Sequence, residues 1–233
     1  MLVLGATAAG LAAAAPGDPD PRLTRATALV AQVSAPGQPG GATALIEAPP
    51  TATVEGAFAY PADGSVLRIG ASTVTVNAQP GISSSAEANV RVLAVSAFGG
   101  EIVAQSITVR AGSAAGPAGA TGDVGSSTIT GLVVLGQSIT PTGNIQVPLA
   151  DWGTLDVLGA SSSTSDAPRS AESAVTGLRI RLISEHAGLP AVAEPTTSSA
   201  PADRPGRARA RDRPTAGRPR ADPRRTRRVS RAA

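Results

Sequence analysis

The sequence contains no cysteine, no lysine, one histidine and only four aromatic residues in 233. Without cysteine the chain forms no disulfide, holds no zinc–thiolate or iron–sulfur centre and offers no thiol nucleophile. All 20 basic residues are arginine, a bias that we attribute to a GC-rich coding sequence before any function. Because aromatics are so few, a core must be built from Ala, Val, Leu and Ile, and its layers must lie close together.

The net charge of +3 conceals an uneven distribution along the chain. Residues 1–200 carry eight arginines against fourteen acidic residues, whereas residues 201–233 carry twelve arginines against three aspartates. The body is therefore mildly acidic and the end is strongly basic. From residue 191 onward the chain has too few apolar residues to bury a core, so residues 191–233 are predicted to be a disordered Arg/Pro-rich tail.

The N-terminus begins with an uncharged apolar run, MLVLGATAAGLAAAA, that ends at a Pro/Asp-rich turn. This run is shorter than the roughly 20 residues that a membrane-spanning helix needs, and its alanine-rich end is typical of a signal-peptide cleavage region. Residues 1–15 are thus predicted to be a signal-peptide-like segment. The basic residues that usually open such a peptide are absent, which leaves a late start codon or an apolar N-terminal helix as alternatives. We expect a secreted or cell-surface protein whose mature chain has no transmembrane segment.

Residues 16–50 alternate short apolar pieces with Pro/Gly clusters, which predicts a largely disordered linker with room for one strand or a short helix. The pattern then changes, and residues 51–190 are predicted to form a β domain. Within it, residues 88–95 and 102–110 place β-branched residues at alternate positions on both sides of a Gly-Gly pair, which predicts a hairpin. The last strand, at residues 174–183, alternates cleanly except for a phase break at Gly177 that is typical of a bulge.

The β domain contains further segments with a strand-like pattern, at residues 66–69, 72–77, 127–130, 132–135, 137–140, 144–149 and 153–158. A Gly/Ala-rich connector is predicted at residues 111–125. Eight or more short strands at roughly even spacing predict an all-β fold, a sandwich-like domain of short antiparallel strands. A parallel β-solenoid is the alternative, because residues 64–76 and 100–109 look like two of its turns, but a solenoid needs at least three repeats at a sustained period.

Five segments carry a resemblance to a known family: SAEANV (85–90), GGEIVAQSI (99–107), GSSTITGLVV (125–134), AVTGLRI (174–180) and HAGLP (186–190). In residues 84–190 the chain resembles the actinobacterial choice-of-anchor P family, secreted or surface β proteins that differ in how their C-termini are attached. The resemblance implies that the Gly-Leu-Pro segment continues into a final apolar strand, yet Arg/Pro-rich sequence follows it here. We therefore hypothesise a frameshift near residue 190, which would leave a sheet edge exposed.

Few residues suggest chemistry. His186, the only histidine, formally allows a Ser–His–Asp arrangement, but no Gly-x-Ser-x-Gly sequence supplies a nucleophile elbow, so a solvated turn histidine is favoured. Asp151 and Asp156 bracket Trp152 and suggest calcium ligands or a glycan-stacking platform; they lack the dense spacing of a calcium loop, and a hairpin turn with a packed tryptophan is favoured. Residues 112–125 are glycine-rich but contain no Gly-Lys-Ser/Thr, so they predict no phosphate site.

The sequence thus predicts an exported cell-envelope structural or interaction protein that is not an enzyme. We assign it no catalytic, cofactor-binding or metal-binding residue and no cofactor, and we expect an envelope or extracellular partner that the sequence does not identify. The alternative is a polyanion-binding protein that acts through residues 201–233, whose arginines attract phosphate polymers by counterion release. Nucleic acid is not the expected partner, because no aromatic residues are interleaved with these arginines for base stacking.

Overall fold

The computed structural model describes residues 2–14, 24–166 and 169–191. These residues form fifteen β-strands and one short 3-10 turn at Phe98–Gly100. In chain order the strands are β1 (Leu2–Ala14), β2 (Arg25–Val33), β3 (Gly41–Ala42), β4 (Ile46–Ala48), β5 (Ala52–Tyr60), β6 (Leu67–Gln79), β7 (Ser84–Ala97), β8 (Ile102–Gly116), β9 (Gly119–Asp123), β10 (Thr128–Thr130), β11 (Leu132–Val134), β12 (Gln137–Ile139), β13 (Ile145–Leu149), β14 (Gly153–Asp166) and β15 (Arg169–Leu182).

The strands form two antiparallel sheets that pack face to face. The first sheet has the order β13-β14-β15-β1-β2, and both β3 and β4 pair with the far edge of β2. The second has the order β12-β11-β8-β7-β6-β5, and β9 and β10 also pair with β8. The fold is all-β and sandwich-like, as the sequence predicts. The pairings between the described strands are antiparallel, so the solenoid alternative, which requires parallel strands, is wrong.

The predicted hairpin is present and joins β7 to β8. Ala97 pairs with Ile102, and the connection between them turns through three successive left-handed residues, with φ of 51° at Phe98, 63° at Gly99 and 103° at Gly100. Two of these positions are glycine, which adopts positive φ without steric cost. The Gly-Gly pair is therefore the local reason why the chain reverses here.

The core consists of small and aliphatic side chains, as the composition predicts. Phe98 and Trp152 are the only aromatic residues among those buried within the described part of the chain. Side chains are large at one end of the sandwich, where Ile102, Leu155 and Ile180 are fully buried. At the other end the buried residues of the same long strands are small: Ala86, Ala88, Ala111, Ser113, Ala171 and Ser173.

Two predictions about connecting segments are wrong. Residues 25–48, predicted as part of a linker, form β2, β3 and β4, and β2 buries Ala26, Ala28 and Val30 in the core. Their alternation is hard to recognise because the inward-facing residues are mostly alanine. The connector predicted at residues 111–125 is largely strand as well, because β8 continues to Gly116 and β9 folds back along it. The long strands reach 13 to 15 residues and are not short.

The segment predicted to be signal-peptide-like forms β1, in the middle of the first sheet. It pairs with β15 on one side and with β2 on the other, and it packs against β7 and β8 of the second sheet. Both edges of β15, the last described strand, are paired, one with β14 and the other with β1. The tail predicted at residues 191–233 lies, apart from residue 191, outside the described residues. In the described part of the chain, no helix has the length and apolar character needed to cross a membrane.

Candidate functional site

Three turns at the large-residue end of the sandwich bring four side chains together: Phe98, Glu101, Trp152 and His186. We call this group the His186 cluster. Phe98 and Glu101 lie in a turn between two strands of the second sheet, whereas Trp152 and His186 lie in turns that follow strands of the first sheet. The cluster therefore joins the two sheets where the core opens to solvent.

Phe98 and Glu101 are positioned by the turn between β7 and β8. The Phe98 amide donates to the Val66 carbonyl (2.9 Å), and the Glu101 amide donates to the Phe98 carbonyl (3.3 Å). The Glu101 carbonyl in turn accepts from the amide of Leu135 (2.7 Å). These bonds fix the backbone on both sides of Phe98, whose ring is buried.

Trp152 is positioned by the turn between β13 and β14. Leu149 pairs with Gly153 across this turn, and the Trp152 amide donates to the Leu149 carbonyl (3.1 Å). The side chain of Trp152 is only 6% exposed, which confirms the prediction of a hairpin turn with a packed tryptophan. Its carbonyl accepts from the amides of Ile183 (2.8 Å) and Ser184 (3.3 Å), so the turn also holds the end of β15.

His186 opens a tight turn after β15. His186 and Leu189 exchange two backbone hydrogen bonds of 3.0 Å and 2.9 Å, and the two residues between them have φ of 47° (Ala187) and 76° (Gly188). Positive φ at both central residues is the signature of a type I′ turn. The Gly188 carbonyl accepts from the side-chain amide of Gln38 (3.1 Å), so the connection after β2 supports this turn.

The imidazole of His186 is enclosed by the rest of the cluster. It stacks on Trp152 with ring centroids 3.8 Å apart and planes 6° apart. Phe98 contacts both rings edge-on, with centroids 5.1 Å from His186 and 5.3 Å from Trp152. The His186 Nε2 and the Glu101 Oε2 lie 2.8 Å apart. The histidine is thus in a turn, as predicted, but its ring is packed and hydrogen-bonded, with 20% of the side chain exposed; a solvated histidine is wrong.

The Glu101–His186 pair resembles the acid–histidine pair of a hydrolytic triad, in which the carboxylate orients the histidine. A triad also needs a nucleophilic hydroxyl at the other ring nitrogen of the histidine. The nearest hydroxyl in sequence, that of Ser184, donates instead to the Asp151 carbonyl (3.3 Å). Within the described residues, no three His, Asp or Glu side chains converge as metal ligands. Asp151 is exposed beside the packed Trp152, and Asp156 lies on β14. The geometry of the His186 cluster supports a structural role, in which the cluster holds one sheet against the other.

A second feature is a polar groove of about 480 Å³ along β14 and β15, which we call the Arg179 groove. Its polar lining residues are Asn144, Asp156, Ser161, Thr176 and Arg179. Leu155 and Val157, on either side of Asp156 in sequence, are buried in the core. Because side chains alternate along a strand, the groove lies on the face of the first sheet that points away from the second sheet.

One nitrogen of Arg179, a residue of this groove, lacks a hydrogen-bond partner among the described residues. It lies directly opposite Asp156 in the ladder, yet the Asp156 Oδ1 accepts from the Gln146 side-chain amide (2.9 Å). The Nε of Arg179 is buried and has no hydrogen-bond partner among the described residues. Buried polar groups without a partner are rare in native proteins, so this nitrogen is a candidate contact for a ligand.

The phase break predicted at Gly177 is next to this groove, but the bulge is on β1 and not on β15. Between Leu4/Leu178 and Thr7/Thr176, two residues of β1 lie opposite one residue of β15, and the register shifts. The ladder between β14 and β15 keeps its register there, and Leu158, opposite Gly177, has a φ of 53°.

Sequence reasoning found neither the His186 cluster nor the groove, because their members are distant in sequence and no local pattern connects them.

Comparisons with protein-family models, with curated proteins and with solved structures find no match to this chain.

Proposed function

We propose that the chain is an exported structural or interaction protein of the cell envelope that works without catalysis, through surfaces of its β sandwich. The resemblance of residues 84–190 to secreted and surface β proteins supports an envelope location. Histidine is the residue type best suited to acid–base catalysis, and the single histidine of this chain is packed against Trp152 and bound to Glu101. This arrangement supports a structural role for His186.

The observation that carries the proposal is the arginine of the Arg179 groove, whose buried Nε has no hydrogen-bond partner among the described residues. A planar guanidinium binds carboxylates in a two-point geometry, and the hydroxyls of Ser161 and Thr176 and the amide of Asn144 match the hydroxyl groups of a sugar. The volume of the groove lies within the range of small-molecule sites. Envelope saccharides that carry carboxylates have both kinds of group, so we assign this class of ligand to the groove.

Saturation-transfer NMR with the full chain tests the assignment, with glucuronate as probe and glucose as its neutral analogue. We expect saturable binding of glucuronate that is lost in Arg179→Gln, and little or no binding of glucose. The Arg91→Gln variant is the matched control, because Arg91 is an exposed arginine of β7 on the other sheet. Binding that survives Arg179→Gln, or that Arg91→Gln abolishes equally, would show that the groove is not the site.

A second candidate function rests on the twelve arginines of residues 201–233. A polyanion-binding role through this segment predicts strong retention on heparin that falls steeply with salt. A chain that ends at Pro190 keeps all the described strands and lacks these arginines. If this shorter chain elutes from heparin at the same salt concentration as the full chain, polyanion binding through the tail is excluded.

A further inference from the structure

In the first sheet, β1 alone fills the position between β2 and β15. β2 and β15 are the neighbours of β1 on its two sides and do not pair with each other. With strands spaced by about 4.8 Å, a sheet without β1 would have a gap of roughly 10 Å between them, bordered by two rows of unpaired amides and carbonyls. We call this position the β2–β15 slot.

The pairing of β1 in the slot is extensive on both sides. Towards β15 it runs from Leu2↔Ile180 to Ala14↔Arg169, and towards β2 it runs from Leu2↔Val33 to Leu11↔Arg25. Almost the whole length of the segment is therefore held by backbone hydrogen bonds. A strand paired on both sides has no free edge, and its amides are among the least accessible in a protein.

β1 runs from the large-residue end of the sandwich towards the small-residue end. Leu2 and Leu4 pair with Ile180 and Leu178 at the end where the core residues are large. After Thr7 the segment contains only Gly, Ala and one Leu, and its register runs towards the end where the buried residues are Ala and Ser. The change from larger to smaller residues along the segment therefore has the same direction as the change in the core.

Removal of residues 1–15 as a leader would leave the slot empty, because those residues include all of β1. The sandwich would lose its central strand and the cover that β1 provides over β7 and β8. We propose that the β2–β15 slot is a strand-binding site for the Leu2–Ala14 segment, that this segment is retained in the folded protein, and that the slot also accepts the same segment from a second copy of the chain. This inference goes beyond the proposed function and does not depend on the ligand of the Arg179 groove.

Exchange between copies follows from the connection of β1 to the rest of the sheet. The link between β1 and β2 contains Pro16, Pro19 and Pro21. Because one connection joins β1 to β2, β1 can leave its own slot and enter that of a neighbour with the same contacts, which is the usual route to a swapped dimer. The expected partner is therefore a second copy of this chain.

The test uses the full chain with a site for a specific protease inserted between Asp18 and Pro19. After the folded protein is cut, we expect the N-terminal fragment to co-elute with the remainder in size-exclusion chromatography. A fluorescent synthetic peptide of residues 2–14 should then replace the fragment, up to one peptide per chain. The same peptide with Ala8→Pro should bind at least about tenfold more weakly, because proline removes a backbone donor from a strand that is paired on both sides.

A remainder that stays folded after losing the fragment, and that takes up neither peptide, would overturn the proposal. Equal binding of the two peptides would overturn it as well.

A second experiment avoids the insertion: the full-length Ala8→Pro variant should unfold at a lower temperature than the wild type, and added wild-type peptide should raise that temperature in a saturable way. A variant that melts like the wild type, or one on which the peptide has no effect, contradicts the strand-binding site. If the measured mass of the native protein shows that its chain begins at residue 16, the retention of the Leu2–Ala14 segment is contradicted.

Discussion

The hydroxyl of Ser173 on β15 donates a 2.7 Å hydrogen bond to the carbonyl of Gly112 on β8, from one sheet to the other across the interior. Ser173 is fully buried. Packed sheets usually lie about 10 Å apart, a distance that a serine side chain does not span. The bond is possible because Ala86, Ala88 and Ala111 leave little bulk between the sheets at this end. The scarcity of large side chains in the sequence thus has a direct structural consequence.

Loss of this bond should destabilise the sandwich. We expect Ser173→Ala to lower the free energy of unfolding by about 1–2 kcal/mol, because it removes a hydrogen bond and leaves the partly buried Gly112 carbonyl with one interaction fewer. Ser163→Ala, at an exposed position of β14, is the control and should change it by less than about 0.5 kcal/mol. Urea unfolding of the two variants measures both values, and equal stabilities would show that the inter-sheet bond contributes nothing.

The His186 cluster gives a second prediction about the attachment of the sheets. His186→Ala removes the ring that stacks on Trp152 and contacts Phe98, and it should cost about 1–2 kcal/mol of unfolding free energy. His186→Phe keeps a flat ring without the bond to Glu101, so it should recover most of that loss. Thermal unfolding, with the exposed Glu185→Ala as control, makes the comparison. If the phenylalanine variant is as unstable as the alanine variant, ring packing is not what the cluster contributes.

Gly153 is required for close approach of two strands. A Cβ at this position would stand 2.7 Å from the Arg181 carbonyl oxygen, inside normal contact distance. Gly153→Ala should therefore cost about 1–3 kcal/mol through displacement of β14 from β15. Gly159 lies on the same strand, and a Cβ there would meet nothing within 4 Å. Gly159→Ala should be neutral or slightly stabilising in the same denaturation experiment, and similar losses at both glycines would refute the steric explanation.

The turn before β6 predicts a pH effect with a definite sign. The Ser65 backbone amide and hydroxyl donate to the Asp63 carboxylate and hold the pKa of this group below its ordinary value of 3.8; the amide nitrogen lies 3.0 Å from Oδ1. Because the pKa of Asp63 is lower in the folded state than in the unfolded state, the ionised carboxylate stabilises the fold at pH values above the pKa of the unfolded chain. That contribution is lost as the pH falls through the lowered pKa.

An NMR titration of the Asp63 carboxyl checks this prediction in the folded chain and in urea. The folded value should be the lower of the two, and Ser65→Ala should move it part of the way back, since the backbone amide remains. A folded value at or above 3.8 would mean that the Ser65 bonds do not form in solution.

Much of the fold could be predicted from the sequence where β-branched residues alternate and glycine marks the reversals. The hairpin of β7 and β8 and most of the strand of β15 are such cases. β1 was missed because most of its residues are Gly or Ala, so its sequence shows no alternation in hydrophobicity. β2 was expected only as one possible strand of a linker, because the residues that it buries are mostly alanine. The His186 cluster was missed for a different reason: Phe98, Trp152 and His186 meet only after two sheets have packed.

The central claim is that Leu2–Ala14 is the middle strand of the first sheet. Hydrogen exchange of the intact full chain, followed by mass spectrometry of its peptides, tests this claim most directly. We predict that most amides of residues 3–11 exchange as slowly as those of β15, because both strands are paired on both sides there. Complete exchange of residues 3–11 within seconds, while β15 stays protected, would contradict the account.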